Sequence, residues 1–254
     1  MKKIILSVAV LAMVLVGCKK EETKPSDSSS SSSTPKILKE TEYSITNDTI
    51  ISDSSITVYA YDSKGRLISQ TGKFSKDTYE YNSANLITHI SNYSNPNNNV
   101  LESSTYKYIL DSKGLVIKYV SEAGFKDTLH ISYSADGFMK AFKIGDKTED
   151  LNVEIKGDNI IKREDITFEY YLDKTSTIRN VNRGINFFGK DSKNLVKSEK
   201  FTSTDSNGGT SISEYTYTYE FDSKNRVVKS TRTQVNSGNY VGSYKTITKY
   251  QYAN

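Results

Sequence analysis

The chain of 254 residues contains no tryptophan, one cysteine, three prolines and two histidines. A single cysteine cannot form an internal disulfide. It also cannot join two scattered histidines into the three or four ligands that a zinc site needs. Apolar residues make up only 35%, below the usual globular share, so a thick multilayer core is excluded. A strong charge of either sign is missing too. The formal +4 falls to +2 once Lys2 and Lys3 are discounted, which gives nucleic-acid binding no support. No Gly-x-Ser-x-Gly elbow, phosphate loop or dinucleotide fingerprint occurs, and no amphipathic helix of ten or more residues. What is abundant is tyrosine, 19 residues, with nine phenylalanines. These favour strands and argue against disorder.

Residues 1–18 read MKKIILSVAVLAMVLVGC. Two lysines precede a short apolar run, Ile4 to Val16, which fits the core of a signal peptide and is too short to span a bilayer of about 30 Å. The end of this segment, Leu15-Val16-Gly17-Cys18, resembles the bacterial lipobox, where a peptidase cuts before the cysteine. The resemblance implies that the Cys18 thiol takes diacylglycerol and the freed α-amine a third acyl chain, a stable membrane anchor. Cys18-Lys19-Lys20-Glu21-Glu22 in turn resembles the surface-export signal of Bacteroidota-type lipoproteins. Lys20, Glu21 and Glu22 are thus expected to direct the protein to the cell surface, with the periplasmic face of the outer membrane as the alternative. Residues 23–35, TKPSDSSSSSSTP, read as a flexible Ser/Pro tether with a reach of roughly 20 Å. The expected boundaries are a signal peptide at 1–17, the lipidated cysteine and tether at 18–35, and a repeat domain at 36–254.

The domain repeats itself. Four segments carry nearly one tetrapeptide: Asp62-Ser63-Lys64-Gly65, Asp111-Ser112-Lys113-Gly114, Asp191-Ser192-Lys193-Asn194 and Asp222-Ser223-Lys224-Asn225. Looser copies stand at 82–85, 134–137 and 156–159. The last position is always Gly or Asn, which tolerate positive φ, and the first is usually Asp or Asn, whose side chain accepts from backbone N–H groups two residues on. A type I turn followed by a left-handed residue suits a hairpin connection. Aromatic-x-aromatic strands precede the turns, such as Tyr59-Ala60-Tyr61, Tyr79-Glu80-Tyr81 and Tyr217-Thr218-Tyr219. Positions i and i+2 share a face, so each pair points one way. The second residue past each turn is apolar: Leu67, Ile87, Val116, Met139, Ile161, Val196 and Val227. Seven or eight such units give about 14–16 antiparallel strands, with an irregular insertion at 172–186. Polar stretches at 91–99, 203–211 and 236–239 are expected as loops at the opposite edge.

Tyr61-Asp62-x-x-Gly65-Arg66-Leu67 and Phe221-Asp222-x-x-Asn225-Arg226-Val227 resemble the tyrosine–aspartate repeat of Rhs and teneurin shells. Such repeats behind a lipobox are similar to a family of uncharacterised secreted Bacteroidota proteins with a porin-like β fold. The resemblance implies an architecture and no chemistry. The expected fold is therefore all-β: one large antiparallel meander, a strongly twisted sheet or partly closed barrel built from hairpin repeats.

Candidates for chemistry are few. His89 and His130 each stand alone in a strand-like context. A lysine occupies the place of an acidic calcium ligand in the repeated turns. Glu154, Glu164, Asp165 and Glu169 cluster in sequence as a glycosidase pair would, but acidic residues are common enough for chance. The tyrosines read either as a glycan-stacking face or as the buried face of a thin sheet. The expectation is a monomeric, non-enzymatic surface module without cofactor, metal or catalytic residues. Its partners would be the membrane, through the lipid, and a glycan or protein ligand. Its alternatives are a carrier of an apolar ligand on a curved sheet and a glycan-active hydrolase. The facing of the tyrosines discriminates among them: outward for recognition, inward round a dry cavity for carriage, beside a two-carboxylate cleft for hydrolysis.

Overall fold

The computed structural model describes residues 34–46, 49–50, 54–95, 100–122, 128–204, 209–238 and 242–253. Cys18, Lys20, Glu21 and Glu22 lie outside the described residues. The first strands are β1 (Ile37–Thr46), β2 (Thr49–Ile50), β3 (Ser55–Tyr61), β4 (Leu67–Thr71), β5 (Ser75–Ser83) and β6 (Leu86–Ser94). There follow β7 (Leu101–Leu110), β8 (Val116–Ser121), β9 (Thr128–Tyr133), β10 (Met139–Ile144), β11 (Lys147–Asp150) and β12 (Glu154–Lys156). The last are β13 (Asn159–Arg163), β14 (Ile166–Thr175), β15 (Asn194–Thr204), β16 (Thr210–Phe221), β17 (Val227–Ser237) and β18 (Gly242–Tyr252). One helical turn, α1 (Asn180–Arg183), and a 3₁₀ turn at Asn186–Phe188 interrupt the strands.

Each long strand pairs antiparallel with its sequence neighbour, and β1 lies between β18 and β3, so both ends of the domain are sewn into one sheet. The strand number exceeds the expected range because β2, β11 and β12 are only two to four residues long. No ladder joins β11, which pairs with β10, to β12, which pairs with β13, among the described residues, and the sheet is not closed into a barrel. Across that seam the backbone of Leu151 donates to Lys140 and accepts from Glu164. At the edge away from the repeated turns, the strands run further than expected: β6 continues to Ser94, β15 to Thr204 and β17 to Ser237.

Most of the described tyrosines face inward, Tyr93 and Tyr244 being exposed. Along β16 Tyr215, Tyr217, Tyr219 and Phe221 are half-buried while Glu214, Thr216, Thr218 and Glu220 are exposed. Tyr59, Tyr108 and Tyr250 are buried. Beneath them runs a floor of aliphatics from the turn-proximal ends, with Ile37, Leu67, Val116 and Val227 wholly enclosed. Ile160 and Leu195 occupy this floor in place of the expected Ile161 and Val196. The cause is that Asn159 and Asn194 are not turn residues. They are buried at strand starts and bonded to each other, Asn159 Nδ2 to Asn194 Oδ1 at 3.0 Å and Asn194 N to Asn159 Oδ1 at 2.9 Å.

The repeated turns have one geometry. Gly65, Gly114 and Asn225 have φ of 71°, 78° and 57°. The aspartate closes each loop: Asp62 Oδ1 accepts from Lys64 N and Arg66 N, and Asp111 and Asp222 do the same in their turns. The Asp222 carboxyl is held below its usual range, first by the Arg226 N–H. Asp191–Asn194 departs from the pattern. Asp191 Oδ2 accepts from Asn180 N, Ser192 Oγ from Ile160 N, and the Asn194 amide donates to Leu172 and Lys174 carbonyls. Its polar groups are thus spent on neighbouring segments, and no strand precedes it to form a hairpin.

Beyond each turn the ladder carries a bulge, at Tyr61/Leu67 and at Phe221/Val227 among others. There, a tyrosine from the next hairpin donates to the carbonyl of a floor residue. Tyr61 reaches Ile37 O (2.6 Å), Tyr81 reaches Leu67 O (3.0 Å), and Tyr133 reaches Val116 O (2.9 Å). Tyr170 and Tyr252 do likewise to Ile160 and Val227, and Tyr219 donates to Val196 O, beside the floor residue Leu195. The motif arginines lie over the same rings, Arg66 4.0 Å from the Tyr81 centroid and Arg226 4.8 Å from that of Tyr252.

Gly114 has open space where a Cβ would stand, so only its backbone conformation resists substitution. Gly114→Val is expected to cost roughly 1–2 kcal/mol and Gly114→Asn far less, measured by urea denaturation. Burial raises the phenols of Tyr59, Tyr81, Tyr133 and Tyr252 to about 12. An unfolded tyrosine ionises near 10, so stability is complete below about pH 10 and falls as pH rises beyond it. Phenolate absorbance is accordingly expected to appear cooperatively between about pH 10 and 12, together with loss of β circular dichroism. A gradual titration centred near pH 10 with the sheet intact would mean exposed rings.

Candidate functional site

Between β14 and β15 the segment 176–193 leaves the sheet and lies across its turn-side mouth. Its sequence explains its path. Gly184 ends α1 in the left-handed region at φ 73°, and a Cβ there would stand 2.9 Å from Leu67 N. Gly189 permits an equally close approach to the Gly137 carbonyl. Ile178, Ile185, Phe187 and Phe188 turn inward and pack on the tyrosine-lined clusters. The polar groups of the segment hold the surrounding strands: Lys36 Nζ donates to Val181 O (2.8 Å), Asn182 Nδ2 to Pro35 O (2.9 Å), and Val227 N to Thr177 Oγ1 (2.9 Å). Lys190 N donates to Gly137 O and Lys193 N to Asp158 O, which spans the seam on this side. Arg183 reaches inward to Glu40, Nε to Oε1 at 2.7 Å, with both side chains largely buried.

Two cavities adjoin this segment. The outer one, about 550 Å³, is lined by Lys113, Lys190 and Lys193 together with Asp136 and Asp158, with Phe138 in its wall. The inner one, about 270 Å³, is lined by Arg163, Tyr170 and Ser192 among apolar neighbours. Arg179 and Asp191 border both. Burial raises the Asp191 carboxyl, against the pull of the Asn180 N–H and of Arg179 and Arg183. The arrangement presents charges of both signs at one opening, so it suits binding a charged or zwitterionic group.

A second constellation lies deeper. His89 Nε2 is 3.0 Å from Asp77 Oδ1, and its Nδ1 is 2.7 Å from the Tyr108 hydroxyl. The ring stacks on Tyr79 at 4.7 Å and on Tyr106 at 5.3 Å. The His89 hydrogen bond, foremost, holds the Asp77 carboxyl below its usual range despite burial. His89 is therefore not the isolated histidine that its sequence context suggested. Its partners were findable only from register: Tyr79 pairs with His89, which sets Asp77 one inward position further along β5. Tyr108 is 4% exposed and packs edge-on against Phe188. His130, by contrast, is exposed on the outer face between Lys118 and Lys143. Of the clustered carboxylates, Glu154, Glu164 and Asp165 share an open cleft at the seam, while Glu169 pairs with Lys197 elsewhere. The turn residues Asp62, Gly65, Asp111, Gly114, Asp222 and Asn225 form hairpins; Asp191 and Asn194 belong to the mouth. Among the described residues no cluster of three or more His, Cys or acidic side chains stands ready for a metal.

No protein-family model matches the chain, and no curated protein does. Among solved structures, the chain is similar to a porin-like protein from Bacteroides uniformis, with a TM-score of 0.57 and 16% identity, covering 85% of this chain and 96% of that one. That likeness shows a porin-like β fold.

Removing the His89 imidazole takes a hydrogen-bond partner from the buried Tyr108 hydroxyl and leaves Asp77 with Ser91. His89→Ala is expected to cost about 1–3 kcal/mol in urea unfolding, and His130→Ala within about 0.5 kcal/mol of zero. Because the folded Asp77 carboxyl is depressed, its contribution is present above about pH 4 and lost as pH falls.

Proposed function

We propose that this chain is a non-enzymatic binding module of the bacterial cell envelope, anchored by lipid on Cys18 and turned outward by Lys20, Glu21 and Glu22. The single observation that carries the binding role is the mouth cavity beside segment 176–193, about 550 Å³, whose lining includes Lys113, Lys190 and Lys193 together with Asp136 and Asp158. A charged sugar, an amino sugar or uronic acid at the end of a surface glycan, matches this mixture of charges. Lipid anchoring is supported by the outer face of the sheet, which is wet. Lys107–Glu122, Lys200–Glu214 and Lys229–Glu220 ion pairs stand where a membrane-embedded barrel presents an apolar band. The carrier reading loses support because Ile178, Ile185, Phe187 and Phe188 occupy the interior that an apolar ligand would need. The hydrolase reading draws on the cleft at the seam shared by Glu154, Glu164 and Asp165; there Lys162 pairs with Glu154, and Glu169 is paired with Lys197 elsewhere.

The address and the role are tested together. Cys18→Ser is expected to release the protein or leave its leader uncleaved. Protease is expected to shave the wild type from intact cells but not a variant with alanine at positions 20, 21 and 22. Mature lipoprotein in detergent is expected to gain thermal stability from glucosamine or glucuronate, and Lys190→Glu with Lys193→Glu to abolish the gain. No shaving, together with no saccharide response, would refute the reading.

A further inference from the structure

The inner cavity holds a feature that the mouth charges do not account for. Arg163 extends from the end of β13 and Arg179 from the start of α1, and both line the same space of about 270 Å³. The Nε atoms of both are sealed from solvent and have no hydrogen-bond acceptor among the described residues. Buried donors on charged groups are rarely left unpaired, because each costs the desolvation of a strong donor without return. Two such donors at one cavity point to an absent acceptor.

Its chemistry follows from the walls. Asp191 is the carboxylate bordering the space, and one of its oxygens is engaged by Asn180 N at 2.6 Å. Two guanidinium groups against one carboxylate leave a single positive charge, which matches a monoanion better than a phosphate dianion. Planar guanidinium groups bind carboxylates in a fork-to-fork fashion. Tyr170 and Ser192 supply further polar contacts. Phe168, Leu195 and Val196 form an apolar side that a free inorganic ion would leave unfilled. We infer that the inner cavity is a binding site for a small organic monocarboxylate, its carboxylate between Arg163 and Arg179 and its short apolar body against Phe168, Leu195 and Val196. The inference rests on the binding-module reading of the mouth, with which this cavity shares Arg179 and Asp191.

The test uses mature full-length lipoprotein in detergent with sodium butyrate as probe, and sodium chloride and inorganic phosphate at equal ionic strength as controls. Butyrate is expected to raise the melting temperature above both controls. The arginine Nε–Hε resonances should shift on titration, with about tenfold weaker binding in Arg163→Met and in Arg179→Met. Arg163→Lys keeps the charge without the fork and should fall between. If butyrate does no more than chloride, or phosphate equals it, the monocarboxylate site is refuted. Should glucosamine or glucuronate still stabilise through Lys190 and Lys193, the module reading stands without the arginine site. If neither class of probe stabilises the protein, both fall.

Discussion

The hydrogen bond from a tyrosine hydroxyl to the carbonyl of a floor residue on the preceding hairpin is what the rest of the structure depends on. A turn of the Asp-Ser-Lys-Gly kind inserts a bulge, and a bulge withdraws a backbone carbonyl from the ladder. Left buried and unpaired, that carbonyl would cost on the order of 1–3 kcal/mol. Tyr81, Tyr133 and Tyr252 each remove the cost beyond one such turn, and Tyr61, Tyr170 and Tyr219 make the same bond at Ile37, Ile160 and Val196. The same bond ties each repeat to the next, because donor and acceptor come from adjacent hairpins. The ring also provides a surface for the arginine that follows the turn, as at Arg66 over Tyr81. Tyrosine, aspartate, glycine and arginine are thus parts of one joint.

This joint explains why a chain poor in aliphatics folds at all. A phenol buries a large apolar area and carries its own donor, so one residue type both fills the interior and satisfies the bulged backbone. Higher in the interior the same logic becomes a stacked series, Tyr79, His89, Tyr106 and Tyr119, with Asp77 and Tyr108 completing the polar contacts of the histidine.

The mouth is a different matter. Segment 176–193 supplies the aliphatic and aromatic bulk that the sheet lacks, and in doing so it buries charge. Glu40 with Arg183 is a closed pair. Arg163 and Arg179 are not closed. Each keeps a buried Nε without an acceptor among the described residues, beside one cavity. The outer face needs no such device, because its ion pairs sit in water and contribute little.

Period-2 aromatic pairs and the Gly or Asn closing each turn determined the all-β meander by themselves, because alternation and left-handed conformations are local properties that neighbours cannot easily override. The turns at Asp62, Asp111 and Asp222 were legible for that reason. The one at Asp191 was not, since an identical start to the tetrapeptide serves a different end when no strand precedes it. Tertiary structure alone decided which way the tyrosines face, that the seam stays open between β11 and β12, and that Glu40 meets Arg183 across 143 residues. It also decided that Asp77 joins His89, and that Arg163 and Arg179 share a cavity. These meetings depend on how far a long sheet curls and on what fills the curl. Both are set by the summed twist of many strands and the bulk of one insertion, so no short stretch of sequence carries them.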